Sequence, residues 1–331
     1  MSRRVAIVGC GAVGQIRAKT LVNAELVICA DLKPAAAESL AASVPGCEVV
    51  ADWREAVRSE VVDIVVVATP HNALTEVTAA AIAEGCHVLV EKPAARTANE
   101  LRPLVQLADA KGVLVRVGYN HRYHRAFQKA RQIIDSGELG PSLFLRARYG
   151  HGGRLGYDQE WRAQPAVSGG GELIDQGVHL VDLARWFLGE FVEVDGFIHT
   201  YFWDMPVEDN AFLMLKTIDQ RVAFLHASCT EWKNTFSLEL YGRNGKLQVD
   251  GLGGSYGVER LTWYRMLPEM GPPETTTWEY PMADNSWAVE MNEFFRDLDL
   301  GRSPVPGLKD ALAVLEVVDT IYRHSQSDHR T

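Results

Sequence analysis

The chain is poor in cysteine. Of 331 residues only Cys10, Cys29, Cys47, Cys86 and Cys229 are cysteines, and no two share the Cys-x-x-Cys spacing of a zinc or redox site. Four of them fall in or beside runs that read as strands, where a thiol serves as a small apolar residue. The expectation is reduced thiols in a cytoplasmic protein. No stretch approaches the ~18 uninterrupted apolar residues that suggest a membrane span, so none is expected to cross a bilayer. Positive charge is scarce too: 33 lysines and arginines against 43 acids give a net charge of −10 and a pI near 5.5. Binding nucleic-acid phosphates needs clustered basic residues, so that class of partner is not expected. Arg3-Arg4 before an apolar run imitates an export signal, but the run is short and ends in a glycine turn. Internal repeats and low-complexity segments are lacking as well.

With 331 residues the chain exceeds one ordinary domain, and two are expected. Its strongest local signal is Val5-Ala6-Ile7-Val8-Gly9-Cys10-Gly11-Ala12-Val13-Gly14, an apolar run that breaks into glycines and resumes as a helical pattern through Leu21. It reads as strand, tight turn and helix. Gly9 permits the turn, Gly11 lets the backbone approach a pyrophosphate, and Gly14 lets the helix pack closely on the strand. The phosphates would sit on the helix N-terminus at Ala12 and Val13. A second apolar run, Leu26 to Ala30, ends in Asp31, 22 positions after Gly9, where a ribose diol is gripped. An acid there repels a 2′-phosphate, so NAD is expected over NADP, although Lys33 lies nearby.

Beyond Asp31 the pattern alternates. A helix (Pro34 to Ser43) leads to Glu48-Val49-Val50, a short helix from Asp52, and a buried strand over Val61 to Ala68, whose continuous β-branched residues suit a parallel sheet covered on both faces. Helix (Ala73 to Glu84), strand (His87 to Val90), helix (Thr97 to Lys111) and strand (Val113 to Gly118) complete a doubly wound α/β domain over residues 1–120. Near Tyr119 the pattern changes. A helix (Phe127 to Ser136) precedes Leu143 to Tyr149, and alternating runs recur at Ala211 to Leu215, Val222 to Ser228, Phe236 to Tyr241 and Lys246 to Val249. They predict a mostly antiparallel sheet with one face packed by helices, in a domain over 121–331. Trp287 to Leu300 and Leu308 to Arg323 read as amphipathic closing helices that could pack back on the first domain.

Three features follow the nucleotide turn. Ala68-Thr69-Pro70 and Glu91-Lys92-Pro93 each end a strand at the carboxyl edge of the sheet, where ligands of open α/β sheets bind. Gly169-Gly170-Gly171 then opens a helix in which Asp175 and His179, four apart, project from one face. Taken together these resemble the Gfo/Idh/MocA family of NAD(P)-dependent oxidoreductases, the group that includes glucose–fructose oxidoreductase and inositol 2-dehydrogenase. The resemblance implies a Rossmann domain followed by an α/β domain with a large open sheet, whose exposed face makes homodimers or homotetramers. It also implies that Lys92, Asp175 and His179 are catalytic, and that Asn120, Trp161 and Arg162 border the nicotinamide or substrate. The family's usual histidine four residues after the proline of the Thr-Pro element is replaced by Leu74, leaving Asn72 as that loop's candidate cofactor contact beside Glu91 and Lys92.

The chemistry has its own need for such residues. Taking a hydride from a secondary carbinol requires the hydroxyl proton to leave, and a histidine titrating near neutral pH is a suitable base. A protonated Lys92 would stabilise alkoxide charge or relay the proton, so the formal base is either group. Asp175 would hold the imidazole. Taken singly, Asp175 also reads as a helix N-terminal charge, His179 as a core histidine and Lys92 as a solvated strand end. Substrate candidates cluster after Tyr119: His121, Arg122, His124, Arg146, Arg148, Tyr149, His151, Arg154 and Arg162, with Lys92, Asp175 and His179. Arginine forks match carboxylates and phosphates, which suits a sugar acid or nucleotide-linked sugar, and the resemblance widens the expected substrate to a sugar or cyclitol. Arg146 and Arg148 read equally as the solvent face of a strand. No metal site is expected, since His121 and His124 lack partners at ligand spacing. Two alternatives to a dehydrogenase share the scaffold: a glycosidase or lyase that recycles bound NAD in place, and a non-catalytic NAD-sensing regulator.

Overall fold

A computed structural model describes residues 2–58 and 60–328. The chain falls into two compact units. One holds the residues up to Tyr119 together with Ala166–Gly169 and Trp287–Leu315, and the other holds Asn120–Pro165, Gly170–Ser286 and the residues from Glu316 on.

In the first unit β1 (Arg3–Val8), β2 (Ala24–Ala30), β3 (Glu48–Val50), β4 (Ile64–Val67), β5 (His87–Glu91) and β6 (Val115–Gly118) form a parallel sheet in the order β3-β2-β1-β4-β5-β6. Strand order reverses between β1 and β4, and the carboxyl ends of those two strands carry Gly9 and Ala68. Helices α1 (Ala12–Lys19), α2 (Pro34–Ala42), α3 (His71–Ala83) and α4 (Ala98–Lys111) return the chain between strands. The strand expected over 61–68 is shorter. Val61 and Val62 donate to the Arg58 carbonyl, and the Asp63 carboxylate takes the Arg4 backbone N–H and guanidinium, so these three residues form a turn and only Ile64–Val67 pair. Those four are fully buried, as continuous β-branched residues require. Thr97 caps α4 by accepting from the Glu100 N–H, and Gly112 ends it with φ +65°. The core of Val5, Ile7, Leu26, Ile64, Val66 and Leu89 is closed by Met291, Phe294 and Phe295 of α8 (Ser286–Leu300).

In the second unit β7 (Ser142–Gly150), β8 (Phe191–His199), β9 (Asn210–Thr217), β10 (Val222–Ser228), β11 (Thr235–Gly242), β12 (Gly245–Asp250), β13 (Glu259–Arg265) and β14 (Glu274–Tyr280) make a sheet in the order β14-β13-β12-β11-β7-β10-β9-β8. Its pairs are antiparallel except β7 with β10, because the chain crosses through a helical segment before returning beside β7. Alternation sorts the two faces. Leu145, Ala147, Tyr149, Leu225 and Ala227 are buried, while Arg146, Arg148, Met214 and Phe224 are exposed. Helices α5 (Arg125–Asp135) and α7 (Val178–Leu188) pack against the sheet, and the short α6 (Pro165–Ser168) precedes α7 in the chain. At one edge Asn210, Ser228, Gly150 and Thr235 lie in register, so the loops 151–156, 200–209 and 229–234 leave the sheet together.

The glycine-led helix departs from expectation. It opens as a π-helical turn over Leu173–Gly177 and becomes α-helical only from Val178, so Asp175 and His179 are not related by the regular α-helical four-residue step.

Candidate active site

In the first unit the glycine turn is set by close approach. Gly9 has φ +96°, and a Cβ there would lie 2.4 Å from the Ala68 carbonyl oxygen; one on Gly14 would lie 2.0 Å from that of Gly9. A Cβ on Gly11 meets nothing within 4 Å, so that position opens into free space. Helix α1 has no side-chain cap, which leaves its first N–H groups, at Ala12, Val13 and beyond, for a ligand. Asp31 stands at the end of β2 with one carboxylate oxygen accepting from the Cys10 N–H and the other from the Lys33 N–H, each at 2.7 Å. Opposite Gly9, Ala68 and Thr69 lead to Pro70 and α3, where Asn72 is exposed. The Thr69 hydroxyl is buried and has no hydrogen-bond partner among the described residues. A turn with open space at Gly11, an uncapped helix, an acid at Asp31 and an unused hydroxyl fit a dinucleotide.

Glu91 serves a different end from the cofactor contact expected of it. Its carboxylate is buried against the Arg17 guanidinium, with Nε at 2.7 Å and Nη2 at 2.6 Å, and it fixes the end of β5 on which half-buried Lys92 follows.

In the second unit the side chains of His121 and His179 are stacked, ring centroids 3.8 Å apart and 15° from parallel. Both are buried, and Tyr149 stands edge-on to each, at 5.1 and 6.2 Å. Burial first, then the neighbouring Tyr256 phenol, pushes the Tyr149 hydroxyl well above its ordinary range, so it stays protonated. Asp175, at the centre of the π turn, is buried and accepts from Arg162 Nε at 2.9 Å, and Trp161 lies under that guanidinium at 4.6 Å. The chain reaches this geometry through its glycines: a Cβ on Gly171 would lie 1.9 Å from the Glu208 carbonyl oxygen, so only glycine lets the π turn enter here.

Several expected site residues prove to be braces. Arg122 was a substrate candidate, but its Nε and Nη2 both go to Asp182, at 2.8 and 2.6 Å, in a buried bidentate pair. Its fork is engaged by α7. Asn120 is buried and donates to the Ser286 hydroxyl at 3.0 Å. His124 is held against Glu259 at 2.9 Å, and exposed Arg146 and Arg154 pair with Glu239 and Glu160. His151 accepts the Gly153 N–H at Nδ1, so its proton sits on Nε2, which faces Glu172 at 3.6 Å. Glu172 and Tyr157 were not anticipated. The buried Glu172 carboxylate accepts from the Tyr157 hydroxyl at 2.7 Å, three residues before Asp175. Its place in the glycine run was the available signal.

Two family profiles match. Residues 3–119 fit "Oxidoreductase family, NAD-binding Rossmann fold", and residues 127–248 fit "GFO/IDH/MocA C-terminal domain". The chain belongs to the Gfo/Idh/MocA family. Its first unit is thus the NAD-binding Rossmann fold of that family. The chain is 26% identical over 330 residues to scyllo-inositol 2-dehydrogenase (NAD(+)) of Bacillus subtilis, covering 95% of this chain and 91% of that protein. It is 30% identical over 169 residues to levoglucosan dehydrogenase of Pseudarthrobacter phenanthrenivorans, a stretch that is 50% of this chain and 43% of that protein. Matches to inositol 2-dehydrogenases of this family likewise span little more than half their length. Among solved structures, GenD2 from gentamicin A biosynthesis in complex with NAD superimposes with a TM-score of 0.83 at 28% identity, over 98% of this chain and 95% of that one. Among the described residues no helix is long and apolar enough to cross a membrane.

Proposed function

We propose that this Gfo/Idh/MocA protein is an NAD-dependent dehydrogenase or ketoreductase acting on a secondary hydroxyl of a sugar, sugar acid, nucleotide-linked sugar or cyclitol. The observation that carries this reading is the buried π turn that places Asp175, braced by Arg162, just before His179. NAD would be held by Gly9, Gly11, Gly14, Asp31 and Thr69, and its nicotinamide supplies the hydride acceptor or donor. His179 takes the hydroxyl proton of the carbinol, and a general base is worth about 10²–10⁴ in rate. Its ring is kept in place by the stacked His121 and the edge of Tyr149. Asp175 favours the charged imidazole once the proton has moved, while the Arg162 guanidinium holds the Asp175 carboxylate in place. The reading gives Lys92 the task of stabilising alkoxide charge at the reacting oxygen. Asp31 disfavours a 2′-phosphate and so selects NAD over NADP.

The relatives support the substrate class by their names, which cover inositol, levoglucosan and a deoxyglucose nucleotide. The open face of the second unit's sheet, with Phe224, Met214 and Phe197 exposed, supports a homodimer or homotetramer formed through that face in a cytoplasmic enzyme. The test is absorbance at 340 nm with NAD and a panel of sugars, sugar acids, inositols and nucleotide sugars. One compound should reduce NAD, and His179→Ala should lower that rate at least about 100-fold. A variant that keeps the wild-type rate overturns the assignment. Release of a leaving group with no net NADH would move the reading to in-place cofactor recycling.

A further inference from the structure

The loops that follow β10 and β12 border an open surface hollow of about 470 Å³, lined by Lys233, Asn234, Thr235, Phe236, Ser255 and Tyr256. Two of its lining residues back onto the candidate active site. The Tyr256 ring lies 5.0 Å from Tyr149, Phe236 lies 6.1 Å from His121, and both of those neighbours contact His179. The walls are tied together, since Asn234 Nδ2 donates to the Ser255 carbonyl at 3.0 Å across the two loops. Trp232, beside Lys233, holds φ +56°. A bulky residue rarely adopts that conformation, and the Trp232 side chain is largely exposed.

The chemistry of the lining is selective. Exposed Lys233 has no carboxylate partner among the described residues, whereas Arg146, Arg154, Arg162 and Lys246 of the same unit are each paired with one. An exposed ammonium with no carboxylate partner keeps its charge available for a ligand, as does the guanidinium of exposed Arg148 on β7. Beside it stand the Ser255 hydroxyl, the Thr235 hydroxyl, which donates to the Lys233 carbonyl at 3.2 Å and has lone pairs left to accept, and the half-buried Tyr256 ring, against which the carbon face of a sugar packs. We propose that this hollow is the subsite for the end of the substrate remote from the reacting carbon, and that it takes an anionic group, a carboxylate or a phosphate, on Lys233. The proposal deepens the dehydrogenase reading and rests on it for what occupies His179.

The test is calorimetric titration of the NADH-saturated protein, a binding measurement that needs no turnover. The probes are D-glucuronate and D-galacturonate, their neutral parents D-glucose and D-galactose, and glucose 1-phosphate. At least one anion should bind about tenfold more tightly than its neutral parent, as a charge-assisted contact gives. Lys233→Met should bring that anion to the level of the parent, leaving the parent's affinity unchanged. Preference for a uronate assigns the subsite to carboxylate, and preference for glucose 1-phosphate assigns it to phosphate. Anions that bind no tighter than the neutral sugars overturn the proposal, and so does a preference that survives both Lys233→Met and Lys233→Glu. Failure of the dehydrogenase reading shows separately, as an NADH-forming rate that His179→Ala leaves intact, whatever the titrations give.

Discussion

Arg17 is where one substitution tests how the first unit carries charge in its core. The guanidinium is fully buried between two carboxylates, with Nη1 2.7 Å from Glu290 and Nη2 2.6 Å from Glu91, and the Trp287 ring stands 4.5 Å away. Glu290 is itself 0% exposed. Burial, offset by Arg17, already pushes it up to about 6 from an ordinary 4.5. At pH 7 that shift withdraws about 2 kcal/mol from folding, at 1.36 kcal/mol per unit. In Arg17→Met the group must fold neutral, which at pH 7 costs about 3.4 kcal/mol on the same scale, about 1.4 kcal/mol more than in the wild type. Glu91 loses the same partner, which brings the expected deficit to about 4 kcal/mol, within the range for breaking a buried pair. A carboxyl whose folded pKa lies above its unfolded value stabilises fully below about 4.5 and loses that contribution as pH rises. The deficit of the variant therefore shrinks to about 1 kcal/mol at pH 5. Urea unfolding at the two pH values measures it, and Arg17→Met/Glu290→Gln should recover more than 1 kcal/mol at pH 7. A deficit below about 1 kcal/mol at pH 7, or one that does not shrink at pH 5, refutes the reasoning.

Gly11→Val places a side chain in space that is open in the protein, so its melting temperature should stay within about 2 °C while affinity for NADH, followed by fluorescence titration, falls at least about 100-fold. Unchanged NADH affinity would show that the pyrophosphate does not pass over Gly11. Glu208, buried and pushed by burial to about 7, holds the Leu173 N–H and the Tyr322 hydroxyl. Because its folded pKa is raised, the wild type should lose about 2.4 kcal/mol between pH 5 and pH 7.5 that Glu208→Gln does not. Parallel pH profiles of unfolding for the two proteins would remove that assignment.

What could be read from the sequence follows from how local each constraint is. The nucleotide turn was legible because the positive φ of Gly9 and the contact of Gly14 with the Gly9 carbonyl are set within one strand-turn-helix unit, and the valine run of β4 because burial on both faces leaves no polar position. Its bounds were not legible. Asp63 is drawn out of the strand by Arg4, a partner 59 residues away. The π turn at Leu173–Gly177 leaves no mark in composition, since a turn widened by one residue uses the same side chains as an α-helical one.

Charge pairing is where sequence reading stops, and it decides the candidate site. The stretch from Tyr119 to Arg162 reads as an anion-binding cluster because its basic residues are plain and their partners are not. Folding brings Asp182 to Arg122, Glu239 to Arg146, Glu160 to Arg154 and Asp175 to Arg162, each on a different element from the arginine it meets or at a loop's length from it. An arginine whose fork is filled by a carboxylate has little left with which to recognise a substrate anion, however basic its neighbourhood looks. Lys233 stands outside that stretch in a loop with no motif, and has no carboxylate partner among the described residues. The search for what binds an anionic substrate therefore moves from the density of basic residues to those without a carboxylate partner among the described residues, Lys233 and Arg148 among them.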